Sequence, residues 1–249
     1  MSDAAFPRAR DGKPRLIPGV YNYCDGRCAR CKLSARCMSF LFRQHVERDG
    51  SDADSERIFE EIAGPPPDQP REVEQFIEQT HAHLSSMTPE ERAASDREHD
   101  DHAQTVADDR LVVGARGYAM SAWNITHALE CTAQARGDPV VIEAIESLGE
   151  LAGPIASKVA RAVSAALYAE ELDAESFDED ADGSAKVARL AIDESRRAWR
   201  VLSEGDRGMA DGVPAAMLRV LDELDAQLTV RFPDAMAFVR PGFDTDDPP

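Results

Sequence analysis

The chain has 249 residues, of which 43% are apolar, and a net charge of −19. That length suits one sizeable domain, or one domain with a small appendage. No run approaches the roughly 20 apolar residues of a membrane helix, and so acidic a chain argues against general nucleic-acid binding, which depends mainly on phosphate neutralisation.

The N-terminal MSDAAFPRARDGKPR is basic but lacks the apolar stretch of a secretory signal, so a cytoplasmic setting is expected. In that compartment thiols stay reduced, and clustered cysteines are more often metal ligands than disulfides. The charge is unevenly spread. Residues 1–45 carry nine Lys/Arg against three Asp/Glu, a net of +6, which leaves −25 on the remainder. This basic patch could meet an acidic partner, a nucleic acid or the body of its own chain.

In chain order, residues 1–15 read as a flexible basic arm. Residues 16–48 form a cysteine-rich cap; within it the run YNYCDGRCARCKLSARC, residues 21–37, carries Cys24, Cys28, Cys31 and Cys37 at the spacing C-x3-C-x2-C-x5-C. Only one other cysteine, Cys131, occurs in the chain. Four thiolates within fourteen residues can converge on one metal. Structural zinc sites usually use two close pairs separated by a longer loop, whereas so compact a run is more typical of iron–sulfur ligation. A 4Fe–4S cluster is therefore preferred to zinc, with His45 the nearest substitute should one cysteine not ligate. Pro14, Pro18, Gly19 and Gly26 limit regular structure here, so a metal would hold together a loop with little core of its own. Met38–Val46 reads as a short helix leaving the cap, and its MSFLF start is expected to dock on the helical body.

Residues 49–70 form an acidic and proline-rich linker with a brief helix over 55–63, and the GPPPDQP run marks the main boundary. Residues 71–240 read as a bundle of about five long helices. The first covers 71–85. Thr88, Pro89 and Glu91 then supply a capping box with proline at the first helical position. Val112, Ala115, Ala119, Ala122, Thr126 and Leu129 recur at helical spacing up to Gly137. A helix starting at Asp138-Pro139 is expected to kink near Gly149 and Gly153-Pro154. Residues 173–182 read as an acidic loop, with Asp182 or Ser184 capping the next helix. That helix carries Val187, Ala191, Ala198, Trp199 and Leu202, and Gly205 should end it. Met217, Leu221, Leu224 and Leu228 mark the last helix, and an acidic tail fills 241–249. The fold class is all-α, a helical bundle with an irregular metal-binding cap.

Other constellations are weaker. Asp178, Asp180, Asp182 and Gly183 match half of a calcium loop, but its twelfth position is Arg189 rather than glutamate. Glu78-x-x-His81 has di-iron spacing without the second copy such sites need. His127-x-x-Glu130 reverses that order, and His99-x-x-His102 sits in an acidic stretch. Cys131 with His127 one turn before it could be drawn as a nucleophile pair, though a lone cysteine on an alanine-rich helix is usually packed and inert. No phosphate loop, G-x-S-x-G elbow or dinucleotide fingerprint is present.

Three resemblances bear on the cluster. Cys24-x3-Cys28-x2-Cys31 has the spacing of radical S-adenosylmethionine enzymes, whose β/α barrel needs alternating strands that this sequence lacks. Cys28-x2-Cys31-x5-Cys37 resembles part of the iron–sulfur staple of AddB-type nucleases, which implies cluster chemistry without the nuclease motifs. The Y-x-Y-C-D-x-x-C-x-x-C start, with Asp182–Ala188 (DGSAKVA) and Ala191-Ile192-Asp193-x-Ser195, is similar to a family of bacterial helical proteins of no assigned activity. That resemblance implies the helical architecture.

Three functions compete. The first is an iron–sulfur protein in a redox or sensing role. The second is a zinc-stapled interaction module whose acidic bundle binds a protein partner. The third is a metalloenzyme with a carboxylate–histidine site in the bundle. No membrane association and no appreciable nucleic-acid affinity are expected, and catalytic residues and oligomeric state stay open.

Overall fold

A computed structural model describes residues 15–50, 54–64, 71–172, 175–204 and 212–244. Most of the expected basic arm, the GPPPDQP breaker after Gly64, Gly205, the end of the acidic tail and the Cys131 side chain lie outside the described residues. Every regular element described is helical, and no strand occurs among the described residues. The helices are α1 (Met38–Asp49), α2 (Ser55–Ala63), α3 (Arg71–Ser86), α4 (Pro89–Asp108), α5 (Arg110–Arg136), α6 (Pro139–Leu172), α7 (Glu175–Ser203) and α8 (Val213–Arg231). Six of them follow residue 70, one more than expected. None is long and apolar enough to cross a membrane. The described residues divide into two compact units: 15–21, 28–101 and 241–244 in the first, and 22–27 with 102–240 in the second. The division falls within α4.

In the first unit α1 and α2 form a small hairpin. Asp54 caps α2, its carboxylate accepting the Glu56 N–H at 3.0 Å. The Phe42 and Phe59 rings meet with centroids 4.9 Å apart, and Ile58 and Ile62 are buried. Phe42, expected to help dock the cap on the bundle, is thus engaged inside its own unit. At the start of α4 the Thr88 hydroxyl accepts the Glu91 N–H at 3.2 Å, and the Glu91 carboxylate accepts the Thr88 N–H at 2.7 Å. This is the capping box read from the sequence.

The second unit is built on α5–α8. α6 packs against α5 and α7, and α8 closes onto α5 and α7. The expected stripes are its core: Val112, Ala115 and Ala122 from α5, Ile155, Val159 and Val163 from α6, Ala191, Trp199 and Leu202 from α7, and Leu221, Leu224 and Leu228 from α8 are all buried. α4 and α5 are separate helices because Asp109 interrupts them. Its carboxylate accepts the Leu111 N–H at 2.9 Å and an ion pair from Arg231 at 2.6 Å. Asp138 likewise accepts the Val140 N–H at 3.1 Å at the head of α6, after Gly137 turns the chain at φ 68°. α6 continues as one helix from Pro139 to Leu172 with Pro154 inside it.

One expectation is corrected here. The acidic segment before Gly183 is not a loop, since α7 begins at Glu175 and places Asp178 to Ser184 inside the helix. Three effects outweigh its poor helix propensity. Carboxylates are favoured in a first helical turn. Ala181, Ser184 and Ala185 are buried. Asp180 receives two bonds from Arg161, at 2.9 and 2.8 Å. Neither Asp182 nor Ser184 can then be a cap.

The deepest polar contact joins α5 to α7: the fully buried Trp199 indole N–H donates to the Tyr118 hydroxyl at 3.1 Å. Tyr118→Phe strands that donor in an apolar core, so a stability loss of about 1–3 kcal/mol is expected. Urea unfolding should show a lower midpoint with an unchanged slope.

Candidate metal centre

Three of the four clustered cysteines belong to the first unit. There the chain is organised by short 3-10 turns at Cys28–Arg30 and Ser34–Arg36. The Ile17 N–H donates to the Arg36 carbonyl at 3.0 Å, and the Arg36 guanidinium returns a bond to the Arg15 carbonyl at 2.8 Å. These contacts close a loop around a small apolar cluster of Ile17, Val20, Leu33 and Cys37, with Cys31, Phe40 and Phe243 packed against it. Gly242 permits that closure, because a Cβ there would come within 2.8 Å of Ile17 Cδ1.

Cys37 is buried, and Cys28 and Cys31 are half-buried. The Cys31 sulfur accepts the Leu33 N–H at 3.4 Å, the kind of backbone donor that supports a ligating thiolate. His45, the expected substitute ligand, stands 3.8 Å from Glu61 instead.

Cys24 belongs to the second unit, where residues on both sides of it are clamped. The Tyr23 ring lies against Phe238 with centroids 4.7 Å apart. Both rest on Gly183, where a Cβ would fall 2.4 Å from Tyr23 and 2.9 Å from Phe238. Burial, and then the Asp180 carboxylate, raise the Tyr23 pKa above its ordinary value. The Asn22 carbonyl accepts a bond from Lys158 on α6, and its side-chain oxygen accepts one from Arg161 at 3.2 Å. Beyond Cys24, Arg27 bonds the Asp25 carboxylate at 2.8 Å and forms a two-pronged pair with Glu194 of α7, one prong at 2.7 Å. The hydrogen bonds to Glu194 raise the Arg27 pKa further. For Lys158 burial dominates and lowers the pKa, with the Cys24 sulfur the largest opposing influence.

The structure thus brings together the two segments that the sequence marks separately, since Tyr23 and Arg27 meet Gly183 and Glu194 directly. None of the four thiols is in a disulfide. Among the described residues no group of three or more His, Cys, Asp or Glu side chains is gathered closely enough to hold a metal ion. The donor set nonetheless suits a soft metal: four sulfurs in one short stretch, those of Cys31 and Cys37 packed among apolar side chains, with a backbone N–H aimed at the Cys31 sulfur.

The other expected donors are dispersed. His127 stands 3.7 Å from Glu130 on an exposed face, and Glu78, His81 and His99 are exposed. His102 stacks on Tyr168 at 3.8 Å and meets the Ser164 hydroxyl at 2.9 Å, so it joins α4 to α6. Of the half calcium loop, Asp180 is taken by Arg161, while burial and then Asp234 raise the pKa of Asp182.

Lys158, Arg161 and Glu194 escape a sequence reading because their partners beside Cys24 lie more than 130 residues away. One signal was available: Lys158 is one of only four lysines in a chain with 24 arginines. No protein-family model, curated protein or solved structure matches the chain.

Gly183→Ala should push Tyr23 off Phe238 and destabilise the second unit by about 1–3 kcal/mol, as overpacking usually does. Gly117→Ala, where an added Cβ meets nothing within 4 Å, is the control and should cost far less. Parallel urea titrations compare the two.

Proposed function

We propose that Cys24, Cys28, Cys31 and Cys37 bind one metal centre, a 4Fe–4S cluster in preference to zinc, and that the protein serves a redox or sensing role in the cytoplasm. The observation that carries this reading is the donor set itself: four of the chain's five cysteines within fourteen residues, none of them in a disulfide. Two features support it. The apolar cluster around Cys31 and Cys37 supplies the low-dielectric surroundings that tune a cluster's potential. The Leu33 N–H supplies a hydrogen bond to a sulfur. Binding would draw the thiols together, so that metal affinity and local folding are one equilibrium.

A second reading, the zinc-stapled interaction module, gains from a different observation. Val113, Met120 and Trp123 are exposed on one side of α5, an apolar stripe at helical spacing on the acidic bundle. In that case the cap would be structural and the stripe would meet a protein partner. No nucleic acid enters either reading. Arg27 is already paired with Asp25 and Glu194, and Arg36 with a backbone carbonyl.

Anaerobic purification followed by iron, sulfide and zinc analysis separates these readings. The cluster reading expects a brown protein with about four irons and four sulfides per chain. The metal should be lost when the four cysteines are replaced by serine. A colourless protein with one zinc per chain favours the module. Absence of metal from both the native chain and the serine variant rejects each of them.

A further inference from the structure

The second unit contains a half-buried lysine, Lys158, that forms no ion pair among the described residues. Its Nζ donates to the neutral Asn22 carbonyl. Two carboxylates lie within its electrostatic reach, Asp180 and Asp25. Each is engaged by an arginine. Asp180 receives both prongs of Arg161, and Asp25 accepts the Arg27 side chain at 2.8 Å and its backbone N–H at 3.1 Å. An ammonium removed from water without a partner is costly, and such groups are normally paired. A further group that can carry negative charge is the Cys24 sulfur, two residues beyond the carbonyl that Lys158 holds.

A ligating cysteine is a thiolate, and a centre with four of them carries net negative charge whether it holds zinc or iron and sulfide. We propose that Lys158 is the counter-charge for Cys24 in that centre. It acts as a positioning residue, holding the Asn22 carbonyl and offsetting the charge of the ligating sulfur. This role rests on the metal-centre reading above. Removing an outer partner of this kind typically weakens metal binding about 10–100-fold.

The test uses the full chain and three substitutions. Lys158→Gln keeps a donor for the Asn22 carbonyl and removes the charge. Lys158→Met removes both, and Lys158→Arg keeps both. Each variant is reconstituted anaerobically with iron and sulfide, and separately with zinc. Metal retained against a competing chelator is measured, with the midpoint potential where a cluster forms. Thermal unfolding followed by circular dichroism checks that each variant is folded.

The expected result is a loss of affinity of about tenfold or more for Lys158→Gln and Lys158→Met. Lys158→Arg should behave like the native chain. Where a cluster forms, its potential should fall in Lys158→Gln, because removing a cation disfavours the more negative reduced state. Native affinity and potential in Lys158→Gln would overturn the assignment while leaving the metal centre standing. So would equal losses in Lys158→Gln and Lys158→Arg. Failure of the native chain to retain more metal than the four-serine variant removes the centre, and the role of Lys158 with it.

Discussion

The packing of Tyr23 and Phe238 over Gly183 decides where Cys24 stands. A helix interior is a poor place for glycine, which costs roughly 1 kcal/mol there relative to alanine. α7 carries that cost because two aromatic rings occupy the space a Cβ would need. With Tyr23 seated, Asn22 reaches Lys158 and Arg161, and Arg27 reaches Glu194. One apolar contact thus sets the register in which five polar groups find their partners. Cys24 is fixed from both sides by residues that are not metal ligands.

The same arrangement disposes of charge. A basic N-terminal segment and an acidic remainder look, in sequence, like an invitation to an outside partner. Within the second unit Arg27 of the basic segment pairs with Glu194 of the acidic remainder, while Arg27 with Asp25 and Arg161 with Asp180 pair within their own segments. These pairs are only partly exposed, so salt screens them less than free surface charges. They also explain an acidic stretch that forms a helix. Asp180 is held by a bidentate arginine bond, and the first turns of α7 bury Ala181, Ser184 and Ala185 against the core.

Local features were legible in the sequence. The Thr88–Glu91 capping box, the brief α2 helix and the core stripes of α5–α8 each follow from neighbours within four residues, and each is present as read. Features that depend on distant partners were not. The start of α7 could not be read because Arg161 lies 19 residues before the Asp180 it holds and the burial of Ala181 is a tertiary fact. The break between α4 and α5 rests on Asp109, whose ion-pair partner Arg231 is 122 positions away. In the candidate site the four cysteines announce themselves by spacing. Lys158 does not, because a single lysine on an alanine-rich helix has no local pattern that sets it apart from a solvated one.

Closure of the clustered thiols around one metal is the property on which the proposed role of the cap depends. X-ray absorption at the iron and zinc edges of the anaerobically purified full chain reads the ligand shell directly. The expected result is an iron edge with an all-sulfur first shell and a short iron–iron vector, both absent from the four-serine variant. A first shell of nitrogen or oxygen, or a metal signal that survives in that variant, would contradict it.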